Sequence, residues 1–191
     1  CVEFSDYLRD LARVRRAHPG DDLISALVQV ADGGDRLTDD ELIGTCVLLL
    51  NAGHEASVNA MGNGWWALFR NPEQLARLRA DPGLAPRAVE ELLRFDTPLQ
   101  MFERWVLEDA ELCGVRVPKG AELGLLFGSA NRDPAAFDRP DALDLGRDPN
   151  PHLSFGAGIH FCLGAPLARL EAQIALETVV RRLSGLELVA A

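Results

Sequence analysis

The chain has 191 residues, 48% of them hydrophobic and 25% charged, with a mean hydropathy of +0.01. That is the composition of a soluble globular protein, and it excludes a disordered, collagenous or coiled-coil chain. The 19 Lys and Arg against 29 Asp and Glu give a net charge of −10, which opposes binding to a phosphate backbone and argues against nucleic acid as a partner.

In chain order, Phe4, Tyr7, Leu8, Leu11 and Val14 recur at helical spacing, predicting a helix over 4–17 that His18-Pro19-Gly20 stops. A shorter helix is expected over 21–31, followed by a turn at Asp32-Gly33-Gly34-Asp35. Thr38-Asp39-Asp40-Glu41 has the form of a capping box and opens one long helix to Arg70. At ~1.5 Å per residue this helix spans roughly 45 Å. Its first half is apolar nearly all round, which places it in a core. Asn71-Pro72-Glu73-Gln74 reads as the cap of the next helix, Asp81-Pro82-Gly83 ends it, and a further helix is expected over 86–95. Short runs between 100 and 127, broken at Gly114 and Pro118-Lys119-Gly120, read as strands of a small sheet. Residues 131–164, rich in Pro and Gly, form a long structured loop of the kind that binds something. A helix over 166–183 follows.

The four cysteines, at 1, 46, 113 and 162, include no C-x-x-C pair, so neither a disulfide scaffold nor a zinc site is suggested, and a reducing, cytoplasmic setting fits best. The most apolar runs, 46–50 and 123–127, break at Asn51 and Gly128, too soon for a membrane span. Cys162 stands just ahead of the last predicted helix, whose unpaired amides and positive dipole end would stabilise a thiolate. Gly156, Gly158 and Gly164 around it let the backbone approach something flat and bulky. A metal-bound thiolate suits this pattern. A buried, inert thiol is the plainer alternative for a cysteine taken alone.

The pattern F-x-x-G-x-H-x-C-x-G, filled by Phe155, Gly158, His160, Cys162 and Gly164, resembles the haem-binding loop of cytochrome P450. Glu91-Leu92-Leu93-Arg94 resembles that family's E-x-x-R helix, and Ala52-Gly53-His54-Glu55 its oxygen-binding turn. Ala130-Asn131-Arg132-Asp133-Pro134 and Pro149-Asn150-Pro151-His152-Leu153 are similar to segments of bacterial, soluble members. The resemblance implies a mainly α fold with small β-sheets, the C-terminal portion of the cytochrome P450 fold. Residues 1–191 would then be a partial domain, truncated at both ends.

It further implies haem b with Cys162 as the axial thiolate, donating electron density that favours O–O bond cleavage. His160 and Arg104 would pair with the haem propionates, and Phe155, Gly156, Gly158, Gly164, Ala52 and Gly53 would line the cofactor. Leu49, Ala52 and His54, with 99–101, would line the substrate pocket. Glu91 and Arg94 would form a buried structural pair. The family's third arginine is expected at position 142, which is Ala, leaving Arg139, Arg147 or His152 to replace it.

Where the family has an acid followed by Thr, this chain has Glu55 followed by Ala56. The implied catalytic groups are therefore Glu55 and Ser57, sharing proton delivery with water and a substrate hydroxyl. The implied activity is insertion of one atom of dioxygen into a small organic substrate, with electrons from a ferredoxin and its reductase. Arg132, Arg139, Arg147 and Arg169 are the docking candidates. A peroxide-driven peroxygenase and a non-catalytic fragment without haem are the alternatives. A cysteine hydrolase fits poorly, because His160 lies only two residues from Cys162 on an extended loop.

Overall fold

A computed structural model describes residues 2–32, 35–183 and 185–189, which fall into two compact units, Cys1–Glu55 and Ala56–Ala191. In the first unit, α1 (Val2–Ala17) and α2 (Leu23–Gln29) precede a short antiparallel pairing of β1 (Ala31–Asp32) with β2 (Asp35–Arg36). The expected Gly33-Gly34 turn lies outside the described residues. Asp22 caps α2 by accepting from the Ser25 N–H at 2.8 Å. That hydrogen bond, with the Arg15 guanidinium, holds the Asp22 carboxyl below its ordinary range.

The predicted stripe of α1 is only partly used. Leu8 and Ala12 are buried, whereas Phe4, Tyr7 and Val14 are exposed.

The long helix forms as expected: α3 runs Asp39–Arg70. Its capping box is real, since the Thr38 N–H donates to the Glu41 carboxylate at 2.8 Å and the Glu41 N–H donates to Thr38 Oγ1 at 3.3 Å. The expectation that its first half lies in a core is corrected. Leu42 and Ile43 are buried, but Leu48 and Leu50 are 65% and 56% exposed. An apolar helix face is buried only where another surface meets it, and among the described residues none covers this stretch.

In the second unit, α4 (Pro72–Ala80) and α5 (Ala85–Phe95) follow with Pro near each N-terminus. Asn71 does not cap α4 with its side chain as the sequence suggested. Its amide donates back to the Ala67 carbonyl at 2.8 Å, closing the end of α3. Two separate two-stranded sheets replace the single small sheet. β3 (Phe102–Trp105) pairs with β6 (Glu122–Leu125), and the chain between them folds into the hairpin β4 (Ala110–Leu112) and β5 (Val115–Val117). After the short α6 (Phe127–Ala130), the loop leads to α7 (Ala165–Arg182).

The core of this unit joins the end of α3, α4, α5 and α7 through Leu68, Leu78, Val89, Leu92 and Leu176, with Leu145 from the loop. Each such side chain contributes about 1.5–3 kcal/mol by leaving water. Trp65 and Phe69 pack against this core, while Trp66 is exposed beneath the Arg70 guanidinium. The amphipathic α5 therefore sits at the centre of the unit and can anchor whatever the long loop carries.

Candidate functional site

Glu91 and Arg94 lie one helical turn apart on the buried face of α5 and are both 0% exposed. Arg94 Nε and Nη2 donate to the two Glu91 oxygens at 2.8 and 2.9 Å. Its Nη1 donates to the carbonyls of Asn131 and Pro140, both at 2.8 Å. A buried ion pair is costly unless its remaining donors and acceptors are satisfied, and here the long loop satisfies them. Glu91 also accepts from Arg147 Nε at 3.0 Å, the Asp144 N–H at 2.9 Å and Asn150 Nδ2 at 3.2 Å. Arg147 is thus the arginine that completes this cluster. Ala142 contributes only its carbonyl, which accepts from Arg94 and Arg147.

Asn131 ties the far side of the same loop. Buried at 0% exposure, it donates through Nδ2 to Thr97 Oγ1 and Ser154 Oγ and accepts the Leu153 N–H at 2.7 Å. Ser154 Oγ in turn donates to the Leu93 carbonyl at 2.8 Å. The cysteine loop therefore leaves α5 from a fixed point.

Beyond Ser154 the chain turns tightly. Gly156 and Gly158 have φ of 71° and 66°, a region that a side chain disfavours. The Cys162 N–H donates to the Phe155 carbonyl at 2.9 Å, and the Cys162 carbonyl accepts from the Ala165 N–H at 3.2 Å as α7 begins. Cys162 is half-buried and stands three residues ahead of the first residue of α7, as its sequence position suggested. Gly164 has an ordinary φ of −81°, and a Cβ there would lie 3.9 Å from Cys162 Sγ. It is not needed for backbone freedom.

The surface around the thiol is apolar: Ile159 is 98% and Leu163 87% exposed, with Phe161, Leu167 and Leu170 also in solvent. Such a cluster marks a binding surface. His160 is exposed at the end of a short 3₁₀ turn, Gly158–His160. Arg104, half-buried on β3, donates to the Glu103 carbonyl at 2.8 Å. Among the described residues neither is paired with a carboxylate.

The adjacent glutamate on α5 builds a second cluster. Glu90 accepts from Arg169 Nε and Nη2 at 2.7 and 2.9 Å, and His152 Nε2 lies 2.9 Å from it. Partial burial pushes the Glu90 carboxyl up, but the hydrogen bonds from His152 and Arg169, with the Arg169 charge, outweigh it and hold the group at about 2.

The four arginines suggested as docking residues fare unequally. Arg147 and Arg169 are engaged with Glu91 and Glu90, and Arg132 donates to the Phe95 carbonyl and to Asp141. Arg139 alone of the four is largely exposed.

On α3, Ala52, Gly53 and Glu55 are exposed at the end of the first unit and Ser57 is half-buried at the start of the second. Residues two apart on a helix point about 200° apart, so Glu55 and Ser57 do not share a face. Among the described residues neither side chain is hydrogen-bonded to another protein group.

A family model described as cytochrome P450 matches residues 84–187, and the chain belongs to the cytochrome P450 family. It is 48% identical over 187 residues to the biotin biosynthesis cytochrome P450 of Bacillus subtilis (strain 168), covering 98% of this chain and 47% of that protein. It is 46% identical to the 6-deoxyerythronolide B hydroxylase of Saccharopolyspora erythraea, covering 97% of this chain and 46% of the relative. The crystal structure of P450BioI with an acyl carrier protein bearing hexadec-9Z-enoic acid superimposes with a TM-score of 0.94 at 48% identity, covering 99% of this chain and 48% of that one. The chain spans about half the length of the curated relatives it matches. The mainly α fold with small sheets is that of these cytochrome P450 proteins.

The family implies a haem with thiolate ligation of its iron. The residues present fit one. The thiol of Cys162, half-buried ahead of α7, suits a metal that brings its other ligands with it. The apolar collar suits a flat apolar ring, and the Arg104 cation and the His160 imidazole suit its carboxylates.

Proposed function

We propose that this chain carries the haem-thiolate site of a monooxygenase that inserts one atom of dioxygen into a small organic substrate. The observation that carries this reading is Cys162, fixed by the Phe155 carbonyl at the start of α7 within an exposed apolar collar. When bound, haem b supplies oxygen activation and one-atom transfer.

Cys162 would hold the iron as a thiolate and supply it with electron density. Gly156 and Gly158 turn the loop, which would let its backbone approach the cofactor, with Phe155 behind the ligand. Arg104 and His160 would face the propionates. By the family likeness, Ala52 and Gly53 would stand beside the cofactor, and Leu49, His54 and 99–101 would contact the substrate.

Glu55 and Ser57 hold waters that deliver protons, and a substrate hydroxyl supplies the group that Ala56 lacks. Their different directions on α3 support transfer through water rather than a direct hand-off. The hydroxylase relative supports this reading over the peroxide-driven and haem-free ones. Electrons come from a ferredoxin and its reductase in the cytoplasm. No helix among the described residues is long and apolar enough to cross a membrane. The complex with an acyl carrier protein bearing hexadec-9Z-enoic acid supports a largely apolar acyl substrate.

The test is the reduced, carbon monoxide-bound spectrum of the haem-loaded protein. A strongly red-shifted Soret band that Cys162→Ala abolishes is expected, and a band that survives the substitution overturns the assignment. For the relay, Ala56→Thr is expected to change the coupling of reductant to product with substrates that lack a hydroxyl. Unchanged coupling with every substrate refutes substrate assistance.

A further inference from the structure

Resting on the assignment of Cys162 as the iron ligand, we propose that Glu90 is the positioning residue for that ligand, acting through Arg169, His152 and Phe155. The family motif covers Phe155 and Cys162, and the E-x-x-R pair covers Glu91. The preceding glutamate belongs to neither, yet it is the point at which three segments meet.

From α5, Glu90 receives both donors of the Arg169 fork, which rises from the second turn of α7. Such two-bond carboxylate pairing fixes orientation as well as distance. Held there, the Arg169 guanidinium lies 4.4 Å from the centre of the Phe155 ring, and Phe155 gives its carbonyl to the Cys162 N–H.

His152 closes the cluster from the loop side. Its Nδ1 accepts the Ser154 N–H at 3.2 Å, so Nε2 carries the proton donated to Glu90. Its side chain is only 2% exposed, and its ring lies 6.0 Å from that of Phe155. Phe155 is thus gripped by the imidazole and the guanidinium, both oriented by one carboxylate. The start of the cysteine loop and the start of α7 are locked together through Glu90, and Cys162 lies on the chain between them.

The test uses the haem-loaded protein, with Glu90→Gln and Arg169→Gln. Glu90→Gln keeps the size of the side chain and removes its charge. Expected is native helix content by circular dichroism, together with roughly tenfold faster conversion of the thiolate-type carbon monoxide band to the thiolate-free one, the loss of a charge-assisted hydrogen bond. Arg169→Gln is expected to convert at a similar rate. Arg169→Lys, which keeps the charge without the fork, should not restore the slow conversion. The double substitution Glu90→Gln/Arg169→Gln should be no faster than either alone.

Wild-type conversion rates in both Gln variants, or conversion that merely tracks global unfolding, overturn the proposal. Should Glu90→Gln fail to fold, Arg169→Gln and Arg169→Lys decide it alone. Cys162→Ala separates the two levels: if it keeps the thiolate band, the ligand assignment itself fails. If it loses the band while the Gln variants behave as wild type, only the positioning role fails.

Discussion

Glu90 and Glu91 are neighbours in sequence, about 100° apart around α5, and they hold different parts of the loop by different physics. Glu91 is sealed from water with Arg94 and tied to Arg147, Asn150 and the Asp144 backbone. Glu90 is partly solvated and grips α7 and His152, next to the cysteine. The buried cluster fixes the path of 131–150, whereas the half-open one sets the segment that presents the thiol. Where water is excluded, every partner is obligatory. Where water still reaches, a lost partner is partly replaced, so the site tolerates adjustment.

Four outcomes would sharpen or break that contrast. The largest effect is expected from Arg94→Ala, which strands the Glu91 charge and the loop carbonyls in the interior and should cost about 3–5 kcal/mol in urea unfolding. A near-neutral result would mean that the cluster is not sealed. Arg147→Ala should cost about 1–3 kcal/mol by the same measurement, since Glu91 keeps its fork with Arg94. A loss equal to that of Arg94→Ala would show that the third arginine is no auxiliary.

Smaller again is the pH-dependent part at Glu90. Its carboxyl is held at about 2 against an ordinary 4.5, so the folded state favours the charged form. The stabilisation is complete above about 4.5 and is lost as pH falls through about 2. Unfolding midpoints of the protein and of Glu90→Gln should therefore converge as pH is lowered across that window, and a constant gap would deny the charge its role. At the bottom of the scale, Arg13→Ala removes an ion pair whose partners are both largely in solvent, and its thermal midpoint should match that of the parent.

Much of the candidate site is legible in the sequence. Phe155, Gly158, His160 and Cys162 carry their resemblance in one short stretch, and the loop hydrogen bond from Cys162 to Phe155 spans only seven residues. The E-x-x-R pair was equally visible, because i and i+3 share a helix face. Arg147 was one of three alternatives, and nothing in the spacing could choose it, since a loop without periodicity hides which side chain turns inward. Glu90 was missed, Asn131 appeared only within a matching stretch, and Arg169 was read as a surface docking group. A glutamate beside a motif glutamate on an otherwise amphipathic helix was the one signal available.

What the sequence determined by itself is what neighbouring residues decide between them: the capping box of α3, the proline starts of α4 and α5, the break at His18, and the cysteine placed ahead of α7. These follow from hydrogen bonds and side-chain periods that close within a turn or two. The tertiary structure decided the rest. It made Arg147 the third arginine, brought Glu90 to Arg169 across 79 residues, divided the expected sheet into two, and left the middle of α3 uncovered. The reason is common to all four: a contact between distant segments depends on the path of the chain between them, which no local pattern records.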